Sequence, residues 1–482
     1  MFHKLTNRYR KMQAPVKASL WFLICGFLQK GISLLATPIF TRVMAESEYG
    51  RFSAYNSWFG ILQIIVSLNL AAGVYTRGLV KNEEDQDRFS SSMLGLSTVC
   101  ILIFSGIYGI FHKSLNQWLD LSTLLMTAML VDIWAHAAFQ FWSNRERVNY
   151  RYKKLVIITL GYVILRPLLG VICVLNVTAQ HQVEARVLST VAVNLLLFSG
   201  LYFSLAHKGK QFFHKKYWQY ALKFNLPLVP HYLSQIVLNQ SDRLMIKRIC
   251  GSAETAYYTV AYTIAMVLQI LNNSISGTMN PWIYKAIKNN EIKKVGKVSY
   301  LVLLLIALTN LAVVLVAPEL LRIMAPESYQ AALWVIPPVT VSVYFMFLYN
   351  LFATFEYYYE KTHYVTAATV TGAVLNIALN AVFIPMFGFV AAGYTTLFCY
   401  ILYAVCHYFF MRRINKKCMG GAVVYDWKII VGLGVGLLAA AFGVMLLYGL
   451  PLVRYGLLLL LAVIALLKRK AIFRILKTLK EK

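Results

Sequence analysis

FNLPLVPHYLSQIVLNQSDRLMIKRICGSAETAYYTVAYTIAMVLQILNNSISGTMN, Phe224 to Asn280, holds two apolar segments joined by a short turn near Cys250 to Thr255. Each is long enough to cross a bilayer, which takes about 20 predominantly apolar residues. Each also carries polar side chains at helical spacing. His231, Gln235, Asn239 and the Asp242/Arg243 pair recur every three or four residues, so they share one helix face. Such residues are costly in hydrocarbon unless they face protein or water. The stretch reads as the wall of a polar path through a membrane.

The composition agrees. Of 482 residues, 59% are hydrophobic and 14% charged, with a mean hydropathy of +0.60; soluble chains average about 25% charged. The net charge of +28 does not point to a nucleic-acid partner. Lys and Arg cluster in short runs between apolar segments, which is the pattern of topology signals and of attraction to anionic lipid. The seven cysteines show no metal-ligand spacing, and most lie within apolar runs, so no metal site and no disulfide framework is implied. The basic N-terminus precedes an apolar run too long for a signal peptide, and this is expected to be a retained first span.

Fourteen spans are expected, at 16–40, 49–72, 90–111, 121–143, 153–175, 183–206, 224–246, 256–283, 298–317, 331–353, 363–385, 388–411, 427–449 and 452–467. With the N-terminus in the cytoplasm, 36 of the 47 Lys and Arg fall on that side and 7 on the other, with Lys30, Arg51, Arg166 and Arg243 in or beside spans. That asymmetry sets the orientation and returns both termini to the cytoplasm. No connection is long enough for a soluble domain. The organisation expected is an N-terminal lobe at 1–206, a basic cytoplasmic linker at 207–223, a C-terminal lobe at 224–411, two further spans at 427–467 and a basic tail at 468–482. The tail reads equally as an amphipathic helix on anionic headgroups or as a simple stop-transfer segment.

A repeat runs at an offset of 206 residues. Arg42 corresponds to Arg248, Glu48 to Glu254, Phe52 to Tyr258, and Leu62-Gln63-Ile64-Ile65 to Leu268-Gln269-Ile270-Leu271. Spans 1–2 thus match spans 7–8 in parallel, as in transporters whose halves are related by an axis along the membrane normal.

Polar residues recur inside the other spans. Lys30, Ser33 and Thr37 share a face of span 1. Asp132, His136, Gln140 and Asn144 follow at steps of four in span 4. Arg166 directly precedes Pro167, Gln269 and Asn273 lie in span 8, and Asn376 and Asn380 in span 11. A mid-membrane charge costs about 2.5–3.5 kcal/mol on insertion scales, so these charges belong in an interior cavity. Asn and Gln on such faces also serve as glue between helices. Arg51 and Arg166 have a second reading, in which they snorkel to headgroups. Asp132 and His136, one turn apart, either share a proton or make a structural hydrogen bond. The run Gly432 to Leu438 mimics a nucleotide loop but sits within an apolar span with no preceding strand, so helix packing explains it.

Four stretches carry a family resemblance: TPIFTRVMAESEYGRFSAYNSW (37–58), LPLVPHYLSQIVLNQSDRLMIKRICGSAETAYYTVAY (226–262), APELLRIMAPESYQAALWVIPP (317–338) and LNIALNAVFIPMFGFVAAGYTTLFCYIL (375–402). In order and spacing the chain resembles the Wzx-type lipid-linked oligosaccharide flippases, of the superfamily that also holds multidrug extrusion and peptidoglycan-precursor transporters. The resemblance implies an all-α polytopic membrane fold, two six-helix lobes plus two C-terminal helices, in a bacterial cytoplasmic membrane. It implies transport of undecaprenyl-pyrophosphate-linked oligosaccharide to the outer leaflet for surface polysaccharide synthesis. It further implies coupling to a proton or sodium gradient, with no bound cofactor, and a polysaccharide polymerase and chain-length regulator as partners. Arg42, Glu48, Arg77, Asp242 and Arg243 fit its patterns; Lys30, Asp132 and Arg166 match no fixed position.

The candidate substrate contacts are Lys30, Arg42, Arg51, Arg77, Arg166, Arg243, Gln235, Asn239, Gln269 and Asn273. Cationic side chains suit a pyrophosphate, and amides suit sugars. Asp132, His136 and Asp242 are the candidates for ion coupling. A multidrug or cation antiporter is the nearest rival, although a cationic cargo favours acids over this excess of bases. A glycan polymerase or membrane glycosyltransferase would need a substantial non-membrane loop or an acid cluster, and the sequence has neither.

Overall fold

A computed structural model of the chain describes residues 12–467. The expected tail at 468–482 and most of the basic N-terminal run lie outside the described residues. Regular structure among the described residues is helical throughout. Helices α1 (Ala14–Val43) and α2 (Glu46–Ser67) form a hairpin, and a short α3 (Gly73–Lys81) leads to α4 (Gln86–Leu119), α5 (Thr123–Val148), α6 (Tyr152–Leu175) and α7 (Gln182–Gly209). A short α8 (Lys215–Asn225) precedes α9 (Val229–Ile249), α10 (Ser252–Lys288) and α11 (Ile292–Leu315). Then come a short α12 (Ala317–Met324), α13 (Ile336–Tyr358), α14 (Thr362–Phe387), α15 (Ala391–Cys418), α16 (Trp427–Met445) and α17 (Pro451–Leu467).

Ten of the described helices are long and apolar enough to cross a membrane, which makes this a multi-pass membrane protein. Four of the fourteen expected spans fall short by that measure. Helices α2, α9 and α10 are diluted by their polar faces, and α17 has only 17 residues. The chain divides into two compact units, the first ending at Gln240 and the second beginning at Ser241, so the junction lies inside α9. The repeat has a local counterpart in the helix ends. α1 closes at Val43 and α9 at Ile249, while α2 opens at Glu46 and α10 at Ser252, each pair separated by the same 206 residues.

In the first unit, α4, α5, α6 and α7 pack together around an aromatic core. Tyr75 stacks on Phe89 with ring centroids 5.8 Å apart, meets Phe141 edge-on at 4.8 Å, and its hydroxyl pairs with Ser90 Oγ at 2.7 Å. Residues 207–223, read from sequence as a linker, dock onto this unit. Trp218 Nε1 donates to the Ser92 carbonyl at 3.0 Å, and Tyr217 OH donates to Asp85 Oδ2 at 2.6 Å. Loss of solvation and the Asp85 carboxylate push the Tyr217 phenol up to about 12. The Phe212 carbonyl lies against Gly95, where a Cβ would meet it at 2.2 Å.

In the second unit, α13 is the central helix, buried along most of its length and packed against α10, α11 and α15. Helix α17 is pinned by Arg454, whose Nη atoms donate to both carboxylate oxygens of Glu319 at 2.8 Å and to the Leu315 carbonyl at 2.6 Å. Arg454 and the Tyr455 hydroxyl together hold the Glu319 carboxyl down at about 2.

Candidate functional site

Burying a charge is costly unless it is paired or hydrogen-bonded, so interior polar clusters mark where the sequence has spent stability. Three such clusters stand out among the described residues. In the first unit, Arg166 on α6 donates through Nε to Asn194 Oδ1 at 2.6 Å, and Asn194 Nδ2 donates to Asp132 Oδ1 at 2.5 Å. One amide from α7 therefore links a cation on α6 to a buried acid on α5. The guanidinium carbon lies 4.4 Å from the Tyr162 ring centroid, a cation–π contact that fixes its plane, and Gln29 Nε2 holds the Tyr162 hydroxyl at 2.7 Å. The Nη groups of Arg166 make no hydrogen bond among the described residues, so their donors remain available to an anion.

His136 does not join this relay. Its ring packs beside Phe59, Phe139 and Phe198 at centroid distances of 6.1 to 6.4 Å, and no hydrogen bond links it to Asp132 among the described residues. Neither a shared proton nor a structural hydrogen bond, the two readings of this pair, has a contact behind it among the described residues. Asn194 sits closer to the carboxylate in space than the imidazole one turn away on the same helix.

The second unit buries Asp242, 1% exposed, beneath three donors. Tyr258 OH at 2.6 Å and Thr396 Oγ1 at 2.9 Å bind Oδ2, and Asn380 Nδ2 at 2.6 Å binds Oδ1. Thr395 donates to Asn380, Asn380 Nδ2 also reaches Asn376 Oδ1 at 3.2 Å, and Ser241 donates to Asn376 at 3.1 Å. Four helices, α9, α10, α14 and α15, thus converge on one carboxylate. Arg243 lies over the Tyr262 ring, 4.4 Å from its centroid, and 5.9 Å from the centroid of Tyr258. The two adjacent residues of this pair therefore share Tyr258, Asp242 through its hydroxyl and Arg243 over its ring.

A third cluster has no counterpart in the sequence reading. Glu356 Oε1 on α13 and His407 Nδ1 on α15 are 2.6 Å apart, and both side chains are essentially inaccessible. The imidazole is flanked by Tyr349 and Tyr403, with ring centroids 5.4 and 5.9 Å away.

The remaining candidates are more dispersed. Lys30 is exposed on α1, and Arg42 is exposed and donates to the Pro38 carbonyl. Arg51 is committed to Glu48 at 2.8 Å and Glu184 at 3.3 Å, so its charge is largely answered within the protein. Arg77 lies over the Phe224 ring at 5.3 Å. Gln235 is exposed, Asn239 turns back to the Gln235 carbonyl, and Gln269 donates to Asn273 at 2.9 Å. Among the described residues no group of His, Cys, Asp and Glu could hold a metal ion.

Asn194, Tyr258, Thr395, Thr396, Glu356 and His407 are additions that the sequence reading missed. His407 was detectable as an imidazole inside the expected span 388–411. Glu356 lies three residues beyond the expected span end at 353.

A family model described as polysaccharide biosynthesis protein matches residues 16–287, and a model described as MatE matches residues 227–382. Lsg locus putative protein 1 of Haemophilus influenzae is 20% identical over 383 residues, which cover 75% of this chain and 89% of that protein. Among solved structures, the lipid II flippase MurJ in an inward closed conformation superposes with a TM-score of 0.73 at 14% identity, covering 94% of this chain and all of that one. An inward-facing multidrug resistance MATE family transporter of the MOP superfamily gives 0.61 at 15% identity, covering 81% of this chain and 96% of that one. At these identities the structural likenesses show the fold.

Proposed function

The chain belongs to the polysaccharide biosynthesis protein family, whose model matches more than half of it, and from that membership we propose that it is a lipid-linked oligosaccharide flippase. In this reading it carries undecaprenyl-pyrophosphate-linked repeat units from the cytoplasmic to the outer leaflet of a bacterial cytoplasmic membrane by alternating access, for surface polysaccharide synthesis. The orientation rests on the Lys and Arg asymmetry, which puts both termini in the cytoplasm.

The observation that carries the proposal is Arg166. A cation inside a membrane helix, held in a fixed plane by Asn194 and Tyr162 and with Nη donors to spare, suits a pyrophosphate oxygen. The exposed Lys30 on α1 adds a second cation to the same unit. The second unit, taken by itself, presents an apolar surface of the kind a prenyl chain meets. An apolar groove of about 560 Å³ runs between α13, α15 and α16, walled by Phe345, Phe352, Val405 and Val431, with Arg412 among its lining. Coupling to a proton or sodium gradient is assigned to the two buried carboxylates, Asp132 and Asp242. A carboxylate that gains or loses a cation changes the relative stability of two conformations by its differential affinity for them.

The test is deletion followed by mass spectrometry of lipid extracts. Accumulation of a prenyl-pyrophosphate-linked oligosaccharide, cleared by the wild-type gene and not by Arg166→Gln, supports the proposal. Normal glycan export by a membrane-inserted Arg166→Gln variant sinks it. The MatE match over residues 227–382 favours a second reading, a multidrug or cation antiporter. A drug-resistance phenotype on expression, with no change in lipid-linked glycan, would select it.

A further inference from the structure

The run Arg145 to Lys154 holds five of the basic residues that lie between apolar segments. In the structure part of it lines a pocket of about 670 Å³ at one end of α5, α6 and α7, wholly within the first unit. The turn between α5 and α6 builds it. Tyr150 adopts a left-handed φ of 54°, a conformation uncommon for a bulky residue, and the Arg151 N–H folds back to the Glu146 carbonyl at 2.8 Å. That turn brings Arg151, Lys153 and Lys154 to one rim, and Lys208 from the end of α7 joins the lining. A single acid, the buried Glu146, stands among these four bases.

The apolar part of the lining has a different character. Trp142, Ile158 and Leu201 line the pocket, and Gly200 leaves open space where a side chain would stand. Next to these residues α6 and α7 present exposed Ile157, Ile164, Leu196 and Phe203, the faces of helices that meet hydrocarbon. The pocket therefore pairs a cationic rim with an apolar wall that continues into a lipid-facing surface. This is the vertical profile of a phospholipid, with the phosphate at the headgroup level and the acyl chains below it. Basic pockets between helices at the cytoplasmic face are suited to anionic headgroups.

We infer that this pocket is a binding site for an anionic phospholipid, its phosphate held by Arg151, Lys153, Lys154 and Lys208 and its glycerol and upper acyl chains lying along Trp142, Ile158 and Leu201. The inference is independent of the cargo proposed above. A free phosphate shares the headgroup chemistry but gains nothing from the apolar wall.

Native mass spectrometry of the full-length protein in detergent tests it, with dioleoyl phosphatidylglycerol as probe, dioleoyl phosphatidylethanolamine as the zwitterionic comparison and inorganic pyrophosphate as the tail-free competitor. The wild-type protein retains the anionic lipid at least fivefold over the zwitterionic one. The triple variant Arg151→Gln/Lys153→Gln/Lys154→Gln loses that preference. The charge-matched triple Lys285→Gln/Lys288→Gln/Lys297→Gln, at exposed positions in the other unit, keeps it. Gly200→Trp fills the pocket with every charge in place and also loses the adduct. Equal loss in both triples, wild-type retention by Gly200→Trp, or displacement of the lipid by inorganic pyrophosphate overturns the inference.

Discussion

Glu356 and His407 form a 2.6 Å pair between α13 and α15, and each keeps one polar atom, Oε2 and Nε2, buried without a hydrogen-bond partner among the described residues. Removing one member of a buried pair leaves the other uncompensated, at a cost of about 3–5 kcal/mol, whereas replacing both with apolar groups is often neutral or better. Glu356→Ala and His407→Ala should each lower the thermal midpoint of the detergent-solubilised protein markedly. The double variant Glu356→Met/His407→Phe should recover most of that loss. A double variant as unstable as the sum of the singles would show that the two sites act independently.

Asn194 is the hinge of the Arg166–Asp132 relay. Asn194→Ala leaves a buried carboxylate short of a donor, which costs about 1–3 kcal/mol. It also frees Arg166 to swing. Glycan export should fall at least tenfold in Arg166→Gln and less in Asn194→Ala, where the cation survives. Equal export by wild type and Arg166→Gln at matched membrane levels would remove Arg166 from the proposed transport path.

Asp242 tests the coupling. Asp242→Asn keeps the side-chain shape beneath Tyr258, Asn380 and Thr396 and removes the ionisable group. Transport in this variant should no longer respond to collapse of the proton or sodium gradient. A response as large as that of wild type would move the coupling elsewhere.

Glu319 gives a pH dependence outside the membrane spans. Its carboxyl is held at about 2 in the folded protein by Arg454 and Tyr455, against about 4.3 in an unfolded chain. A depressed acid contributes stability that is complete above the unfolded value and disappears as the pH falls through the folded one. Pepsin should therefore cut the exposed turn between α16 and α17, at Leu446 and Leu450, faster at pH 2 than at pH 4. Glu319→Gln should flatten the difference between the two pH values. A wild-type difference that survives in Glu319→Gln would assign the effect to another acid.

Gly95 faces the backbone of the docked segment that follows α7. A Cβ there would meet the Phe212 carbonyl at 2.2 Å, and overpacking of this kind costs about 1–3 kcal/mol. Gly95→Ala should raise proteolysis within residues 210–214 while leaving α4 helical. Unchanged protection would mean that the segment is held by Trp218 and Tyr217 alone.

What was legible in the sequence was legible because its cause is local. Continuous apolar runs of about 20 residues read as helices, because a helix satisfies its whole backbone within the one segment that crosses the hydrocarbon. The Lys and Arg runs give an orientation, and the 206-residue offset anticipated that the turns of two helical hairpins would fall in register. The segment 207–223 reads from its charges as a basic linker, and nothing local in it announces that it packs against the first unit. Docking by Trp218 and Tyr217 depends on partners in α4 and just before it, more than 100 positions away.

The sequence by itself determined an all-helical membrane protein of the polysaccharide biosynthesis family, with ionisable groups that hydrocarbon would not tolerate. Only the tertiary structure decided which of those groups answer one another. Asp132 chose Asn194 over His136, Arg51 was spent on two glutamates, and Glu356 found His407 across 51 residues. Helical periodicity fixes which face a side chain occupies. A pairing of charges is a property of two helices at once, and their approach is set by the packing of the whole unit.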